Sequence, residues 1–333
     1  MARDNVSVSA SQSDEPTTSP HDLPEAKWAD LDGPVHYLDF GGPADGPTLV
    51  LVHGLGGSVL NWVAVGPALA ESCRVLAIDL AGFGRTHPLG RSTHIDSNRE
   101  LLARFLDLVV GGPAVIVGNS MGGLLAMLLA DSRPDLVSGL ALIDPALPVG
   151  PRAWPDPLVA ATFATYAVPA LARRLVARRR TLQTPEEQAL AVLRLCCVDA
   201  TRVPDVVVDH HLALARERAD HPDLDAEIVV AGRSLLLALA RRRWLYAVMR
   251  KIRVPVLLLH GSQDRLVPLG AARAVATRNP RWRFEVADDV GHVPQLEVPD
   301  WTSSRILDWL GDEGSSAAKG ARRQRVERLD DHR

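Results

Sequence analysis

The sequence predicts an α/β fold in which helices flank a mostly parallel central sheet. First, many apolar runs are continuous rather than alternating, as in strands buried on both faces of a parallel sheet. Second, these runs alternate with helical stretches, which favours right-handed crossovers between parallel strands. Third, residues 147–249 show helical periodicity with little strand signal. That segment predicts a helical insertion between two strands.

In chain order, apolar runs predict seven strands, and stretches with helical periodicity predict five helices between and after them. The strands are Val35–Phe40, Thr48–His53, Arg74–Asp79, Ala114–Gly118, Gly139–Asp144, Val254–Gly261 and Arg281–Val286. The helices are Asn61–Glu71, His94–Val110, Met121–Ser132, Gly270–Arg278 and Trp301–Leu310.

The chain divides into four predicted parts. Residues 1–25 are polar without a hydrophobic period, and residues 312–333 are rich in charge, so both ends are predicted to be disordered. Residues 26–146 and 250–311 form the predicted core, and residues 147–249 form a helical cap. Ligands bind beyond the carboxyl ends of the strands in open α/β sheets, so an insertion there covers the binding region as a lid.

The composition is that of an ordinary globular protein. Of 333 residues, 47% are hydrophobic and the formal net charge is −3, which gives no reason to expect nucleic acid as a partner. No apolar run is long enough to span a bilayer, and the polar N-terminus lacks the apolar region of a secretory signal. We expect a cytoplasmic chain without stable membrane insertion that acts on a small molecule. The oligomeric state is left open.

The sequence predicts neither a metal nor a cofactor. Cys73, Cys196 and Cys197 have neither the number of a disulfide framework nor the spacing of a zinc site. We expect these cysteines to be small buried apolar side chains. Histidine pairs with zinc-enzyme spacing and phosphate-binding glycine loops are also absent from the sequence.

A serine lies at the apex of a predicted strand–turn–helix. The run Ala114 to Val117 leads into Gly118-Asn-Ser-Met-Gly122, and an apolar helical run follows. Glycines at 118 and 122 let two backbone segments approach where a Cβ would collide. Ser120 is then strained, with its hydroxyl projecting at a helix N-terminus where free N–H groups can meet an oxyanion. An ordinary glycine-rich turn is the alternative.

Two further residues at strand ends fit a serine nucleophile. Serine needs a base, usually a histidine that a carboxylate orients. Asp264 follows a buried strand, and His292 lies in the loop after the last strand. The glycine-rich loop after His53 can supply a backbone N–H opposite the serine. The amides of Leu55 and Met121 are the predicted oxyanion hole, since main-chain donors need no particular side chain.

Five segments, in this order, resemble the α/β-hydrolase fold family with a helical cap. The resemblance spans about residues 30 to 310 and implies Ser120 as nucleophile, His292 as base and Asp264 as orienting acid. The substrate does not follow from it. The segments are His53-Gly-Leu-Gly-Gly57, Asp79-Leu-Ala-Gly-Phe-Gly-Arg85, Gly118-Asn-Ser-Met-Gly-Gly123, Gly261-Ser-Gln-Asp-Arg-Leu-Val-Pro268 and Gly291-His-Val-Pro-Gln-Leu-Glu297.

Asp144 is a rival for the orienting acid, because some relatives place that acid at the end of the strand after the nucleophile helix. We prefer Asp264, since its Gly-x-x-Asp-x-x-Val-Pro setting resembles the usual acid loop. Asp144 is then a turn or helix-cap residue before Pro145.

The leading hypothesis is a serine hydrolase, carboxylesterase- or lipase-like, that cleaves an ester-like bond of a small, mainly apolar substrate through an acyl-enzyme. A carbon–carbon hydrolase of ring-fission diketones is an alternative, because such enzymes often carry a similar Gly-Asn-Ser-Met-Gly-Gly segment. They commonly have Asn where this chain has Ala64 and Trp where it has Val293, which weakens that case. A non-catalytic ligand-binding member of the fold is a second alternative.

The predicted cap holds apolar and basic residues that could contact a substrate. Each apolar one either lines a pocket or, as we expect, packs the cap onto the core. The basic run Arg173-Arg174 and Arg178-Arg179-Arg180 predicts a solvated helix face, with attraction of an acidic substrate as the alternative. The apolar residues are Trp154, Phe163, Tyr166, Leu182, Trp244 and Tyr246.

Overall fold

A computed structural model describes residues 23–24, 26–150, 156–221 and 224–313. Its strands are β1 (Ala26–Asp30), β2 (Pro34–Gly41), β3 (Thr48–Val52), β4 (Arg74–Ile78), β5 (Ala114–Asn119), β6 (Val137–Ile143), β7 (Val256–Gly261) and β8 (Arg283–Ala287). They form one sheet in the order β1-β2-β4-β3-β5-β6-β7-β8. The pairs β1–β2 and β2–β4 are antiparallel, and the pairs from β4 to β8 are parallel. The predicted fold class is confirmed.

Helices cover this sheet and fill the insertion between β6 and β7. Those before the insertion are α1 (Gly66–Ala70), α2 (Ile95–Phe105) and α3 (Met121–Ser132). The insertion holds α4 (Pro157–Tyr166), α5 (Pro169–Leu182), α6 (Pro185–Cys196), α7 (Asp205–Ala219), α8 (Leu224–Ala240) and α9 (Arg242–Lys251). The last are α10 (Leu269–Arg278), α11 (Pro294–Glu297) and α12 (residues 299–313). None of the described helices combines the length and apolar character that crossing a bilayer requires.

The central strands are apolar throughout because they are covered on both faces. In β3, Val50 and Val52 join one core cluster while Leu49 and Leu51 join the other, as the alternation of strand side chains requires. Burying one side chain of this size contributes about 1.5–3 kcal/mol to the free energy of folding. The described cap joins both clusters: for example, Leu235 of α8 lies in the first and Val207 of α7 in the second.

The seven predicted strands are present, each with ends within two residues of the prediction. The edge strand β1 was not predicted, because its side chains are mostly exposed and make no apolar run. The predicted helix Asn61–Glu71 is instead a 3-10 turn, Val59–Trp62, followed by the short α1. Pro67 lies in the first turn of α1 and has no N–H to continue an earlier helix.

The described residues test little of the predicted four-part division. Most of the two predicted disordered tails lies outside the described residues, and α12 continues to residue 313.

Cys73 and Cys197 are buried and Cys196 is half-buried, and all three thiols are free.

The parallel register pairs Val52 with Gly118 and Asn119 with Ile143. The carboxyl ends of β3, β5 and β6 therefore meet at one edge of the sheet.

Candidate active site

Ser120 occupies the sharp turn between β5 and α3. Its backbone has φ 53° and ψ −117°, a left-handed conformation that costs a non-glycine residue about 1–3 kcal/mol. Hydrogen bonds hold it there: its N–H donates to Ile143 O at 3.1 Å, and its carbonyl accepts from Ala146 N at 2.8 Å. The side chain is half-buried at the N-terminus of α3.

The glycines around the serine are required by backbone contacts. A Cβ on Gly118 would lie 2.6 Å from the carbonyl of Gly122, and one on Gly122 would lie 2.1 Å from Val52 O. Gly54, in the loop after β3, is also tightly packed, since a Cβ there would lie 2.9 Å from Cβ of Ser120. The loop after β3 therefore lies directly against the serine.

His292 and Asp264 form a buried pair. The Nδ1 of His292 lies 2.7 Å from Oδ2 of Asp264, whose other oxygen accepts from the amides of Leu266 at 2.7 Å and Val267 at 3.0 Å. Although burial raises the pKa of Asp264, the charge and hydrogen bond of His292 outweigh it and hold that pKa below its usual value. Asp264 is therefore an ionised acceptor that fixes the proton of His292 on Nδ1.

The other nitrogen of His292 is left free. Nε2 is buried and has no hydrogen-bond partner among the described residues, Ser120 included. Such a bond often forms only when substrate binds. Asn119, the last residue of β5, connects the histidine loop to the end of β6. Its Nδ2 donates to His292 O at 3.0 Å and to Ile143 O at 3.1 Å. The histidine loop is thus bonded to the residue that precedes the serine.

The predicted oxyanion donors lie on the two segments that meet at the serine. Met121 is the first residue of α3, and Leu55 follows Gly54 in the loop after β3. Within the described parts of the chain, neither backbone N–H donates to a protein acceptor. Buried His53 holds the loop: its Nδ1 bonds Gly54 O at 2.7 Å and its Nε2 accepts from Leu80 N at 3.1 Å. Burial lowers the pKa of His53, which favours this neutral form.

Asp144, the rival acid, lies behind Asp264 rather than beside His292. Its Oδ1 accepts from Gly261 N at 2.9 Å, and its backbone is left-handed, with φ 42°. Burial, followed by the nearby charge of Asp264, holds the pKa of Asp144 well above its usual value. Asp144 and Asp264 lie close together, and two such carboxyl groups do not readily ionise together, so Asp144 is the protonated member of the pair. Its Oδ2 has no hydrogen-bond partner among the described residues.

The described residues contain one group with the spacing of a metal site, made of Asp144, His260 and Asp264, with ligand atoms within 4.8 Å of one another. Protein partners already occupy much of it. His260 Nε2 bonds Val267 O at 2.9 Å, and both oxygens of Asp264 accept protein hydrogen bonds. Burial lowers the pKa of His260, so it stays neutral. His260 lies 3.8 Å from Oδ2 of Asp264 and 3.4 Å from Oδ1 of Asp144, and its buried Nδ1 has no hydrogen-bond partner among the described residues. The group is therefore a buried cluster around Asp264 that is only partly hydrogen-bonded.

A second buried carboxylate, Glu297 of α11, joins the insertion to the histidine loop. Its side chain is fully buried, and Oε2 accepts from Gly291 N at 2.8 Å. Oε1 accepts from Val198 N at 3.1 Å and Asp199 N at 3.0 Å. Nη1 of Arg202 lies 3.4 Å from Oε1 and compensates the buried charge.

The same stretch of the insertion contacts the main chain next to His292. Cys196 O accepts from His292 N at 2.6 Å, and a Cβ on Gly291 would lie 2.2 Å from that carbonyl oxygen. Arg202 also donates to Asp289 O at 2.6 Å. The stretch of residues 196–202 is therefore part of the support of the histidine loop.

Three residues of this site have no predicted role: Asn119, Glu297 and Arg202. A signal existed for Asn119, a polar residue that closes an otherwise apolar strand, and for Glu297, an acid within a short apolar run. The role of Arg202 beside Glu297 has no local signal, because Glu297 lies 95 residues away in the chain.

The apolar cap residues differ in their placement. Phe163, Trp244 and Tyr246 are half-buried against the core, and Tyr166 packs edge-on to Phe163 with ring centroids 5.9 Å apart. Leu182 is 69% exposed and lines nothing in the described structure, while Trp154 lies outside the described residues. Ile228 of α8 lies against the loop after β3 instead: a Cβ on Gly56 would lie 3.4 Å from its Cδ1.

Known proteins resemble this chain over most of its length. A pimeloyl-[acyl-carrier protein] methyl ester esterase from Aromatoleum aromaticum is 33% identical over 273 residues, which cover 76% of this chain and 94% of that protein. A 2-hydroxy-6-oxononadienedioate/2-hydroxy-6-oxononatrienedioate hydrolase from Paraburkholderia phymatum is 27% identical over 282 residues, covering 83% of this chain and 91% of that protein.

Solved structures show the same architecture. A thermophilic esterase from Thermogutta terrifontis superimposes with a TM-score of 0.64 at 25% identity, covering 86% of this chain and 98% of that one. The sequence profile of the α/β hydrolase fold matches residues 47–299, from β3 to the start of α12. This chain belongs to the α/β hydrolase fold family.

Proposed function

We propose that the protein is a serine hydrolase that cleaves an ester-like bond of a small, mainly apolar substrate through an acyl-enzyme. One observation carries the proposal: His292 is bonded to Asp264 at 2.7 Å with a free Nε2, and its loop is bonded to the residue before the strained Ser120. The esterases among the relatives support an ester as the bond that is cleaved.

The proposed reaction consists of proton transfers between Ser120, His292, the substrate and water. Ser120 Oγ attacks the substrate carbonyl while Nε2 of His292 accepts its proton, and Asp264 stabilises the imidazolium. The amides of Leu55 and Met121 bind the oxyanion, and losing one such donor costs about 3–4 kcal/mol of transition-state stabilisation. His292 then protonates the leaving oxygen, and the acyl group stays on Ser120. In the second half, His292 takes a proton from water, and the attack of that water releases the acid and restores the serine.

We also propose that residues 147–249 act as the cap over this site, with Ile228 of α8 against the loop after β3 that holds Leu55. An apolar side chain in that place favours an apolar substrate group next to the reacting carbonyl. A cytoplasmic location stays a prediction from the sequence, as does the absence of a nucleic-acid partner.

A carbon–carbon hydrolase of ring-fission diketones is the second candidate, which the Paraburkholderia relative favours. Ala64 is half-buried and packs against the core, and Val293 is buried, so neither offers a polar group to such a substrate. The ester reaction, which needs only the serine, the histidine pair and the amides, is therefore preferred. A ligand-binding member without turnover is the third candidate.

A fluorophosphonate probe and a substrate panel test the proposal. We expect the probe to label the wild type and the variant Ser132→Ala, at the opposite end of α3, but not Ser120→Ala. We expect short nitrophenyl esters to be hydrolysed faster than a vinylogous ring-fission diketone. The opposite order would favour the carbon–carbon hydrolase. A folded wild type that is neither labelled nor active would refute the serine mechanism, and tight ligand binding unchanged by Ser120→Ala would favour the binding protein.

A further inference from the structure

Helix α5 of the insertion touches the rest of the protein along a narrow stripe. Ala172 is buried, and Val176 and Arg180, each four residues further on, are half-buried. Arg180 anchors the stripe to α7, since its guanidinium donates to Ala219 O. Most other side chains of this 14-residue helix are exposed. The helix therefore lies on the outside of the described structure.

Large aliphatic side chains line up on its exposed face. Leu171 and Leu175 are 45% and 44% exposed, and Leu182 is 69% exposed. Val168, the residue that caps α5, is 53% exposed and continues the row. Spacings of three, four and seven residues place these four side chains on one side of a helix. Isolated exposed leucines are common, but an aligned row marks a surface that binds something apolar.

Arginines border this row. Helix α5 contains five arginines and no acidic residue, whereas the whole chain has a formal net charge of −3. Helical geometry places Arg174 and Arg178 along one edge of the row and Arg179 along the other. In the described residues, no carboxylate forms an ion pair with Arg173, Arg174 or Arg178, and Arg179 bonds only the uncharged groups of Gln183 and Gln188. The positive charge is therefore concentrated and available to an anionic partner.

We propose that this face of α5, made of Val168, Leu171, Leu175 and Leu182 with the bordering arginines, lies on the surface of an anionic lipid bilayer. An apolar row with cationic borders is the pattern of a helix that lies in the plane of an interface, with its leucines among the acyl chains. Guanidinium groups match lipid phosphates with paired hydrogen bonds, and anionic lipids concentrate near arginine-rich segments. The contact is peripheral and reversible, without a spanning helix.

The occupant follows from the combination of features. An acidic protein would account for the arginines but not for four aliphatic side chains aligned between them. A second copy of this face would bring the same arginines together, and like charges would oppose the pairing. A bilayer with anionic headgroups satisfies the row and its borders at the same time. The surface lies on the insertion, apart from the residues assigned to the reaction.

Vesicle binding tests the proposal on the full chain. We would measure flotation with phosphatidylcholine vesicles and with vesicles that also contain about 30 mol% phosphatidylglycerol. We expect binding to the anionic vesicles, weakened by about 0.5 M salt, and an affinity at least about tenfold lower in the variant Leu171→Ser/Leu175→Ser/Leu182→Ser. The matched control is Leu108→Ser, a leucine that is 65% exposed on the core. Equal binding by the triple variant would overturn the proposal.

An environment-sensitive dye reports contact directly. Leu175→Cys and Leu108→Cys introduce one reactive thiol each, since Cys73 and Cys197 are buried and burial raises the pKa of Cys196 to about 12. We expect anionic vesicles to shift the emission of the dye at 175 to the blue and to leave the dye at 108 unchanged. A shift at both positions, or at neither, would contradict the proposal. Two other outcomes would overturn the bilayer as the partner if the triple variant abolished them. Self-association of the wild type would make a second copy the partner. Stronger binding to an acidic protein than to vesicles would make that protein the partner.

Discussion

The backbone N–H of His292 donates a 2.6 Å hydrogen bond to the carbonyl oxygen of Cys196. The predicted base is thereby bonded to the insertion between β6 and β7. Glu297 extends this contact by accepting from Gly291 on one side and from Val198 and Asp199 on the other. The insertion is thus fixed to the histidine loop near its middle, at residues 196–199, in contrast to α5, which contacts the protein along a single stripe.

Gly291→Ala tests whether this contact positions His292. A Cβ would lie 2.2 Å from Cys196 O, so the loop or the insertion has to move. We expect kcat on a nitrophenyl ester to fall at least about tenfold, because small displacements of a reacting group cost rate steeply. The control is Gly311→Ala in α12, where no atom lies within 4 Å of the new Cβ. Full activity of a folded Gly291→Ala variant would show that the contact is dispensable.

Ser120→Gly should stabilise the protein while abolishing its activity. Glycine adopts φ 53° freely, so the substitution releases about 1–3 kcal/mol of backbone strain. Ser120→Ala removes the same hydroxyl but keeps a Cβ, so it should not gain this stability. Urea denaturation of the three proteins gives the comparison. If both variants were equally stable, the turn would not be under strain.

The two carboxyl groups at the strand ends should respond differently to amide substitution. Asp264→Asn removes the ionised acceptor that holds the proton of His292 on Nδ1, so we expect kcat to fall by about 10⁴. Asp144→Asn replaces a protonated carboxyl with a neutral group of similar shape, so we expect kcat within about tenfold of the wild type. Steady-state kinetics on one ester decides the assignment. The reverse pattern would make Asp144 the orienting acid.

The raised pKa of Asp144 predicts a pH dependence of stability. Asp144 stays protonated in the folded protein after the unfolded chain has ionised, so its contribution to stability is complete below the ordinary aspartate pKa of 3.8 and is lost as pH rises towards the folded pKa. Each pH unit in that window costs about 1.4 kcal/mol. Asp144→Asn lacks this titration and should gain stability relative to the wild type as pH rises above 3.8.

Urea denaturation at several pH values measures that difference. The difference between the two proteins reports the titration of Asp144 together with its effect on its neighbours Asp264 and His260. Parallel stability curves would mean that Asp144 ionises normally in the folded state.

The core strands could be predicted from the sequence because strands buried on both faces, such as β3 and β5, are continuous apolar runs. Edge strand β1 is mostly exposed and has no such run, so the sequence did not predict it. The proximity of Asp264 and His292 could be predicted because residues at the carboxyl ends of parallel strands share one edge of the sheet. The contacts of Glu297 and Arg202 could not, because they exist only once the insertion has docked, which local patterns do not encode.

The docking of residues 196–202 limits how enzymes of this design can be recombined. Exchanging the entire insertion for that of another family member would displace the carbonyl of Cys196 and the amides of Val198 and Asp199. The buried charge of Glu297 would then keep Gly291 N as a donor but lose its partners in the insertion. A chimera that replaces only α4 and α5 keeps those groups. Helices α4 and α5 can therefore be exchanged without disturbing the support of the histidine loop, with residues 196–202 retained from the recipient.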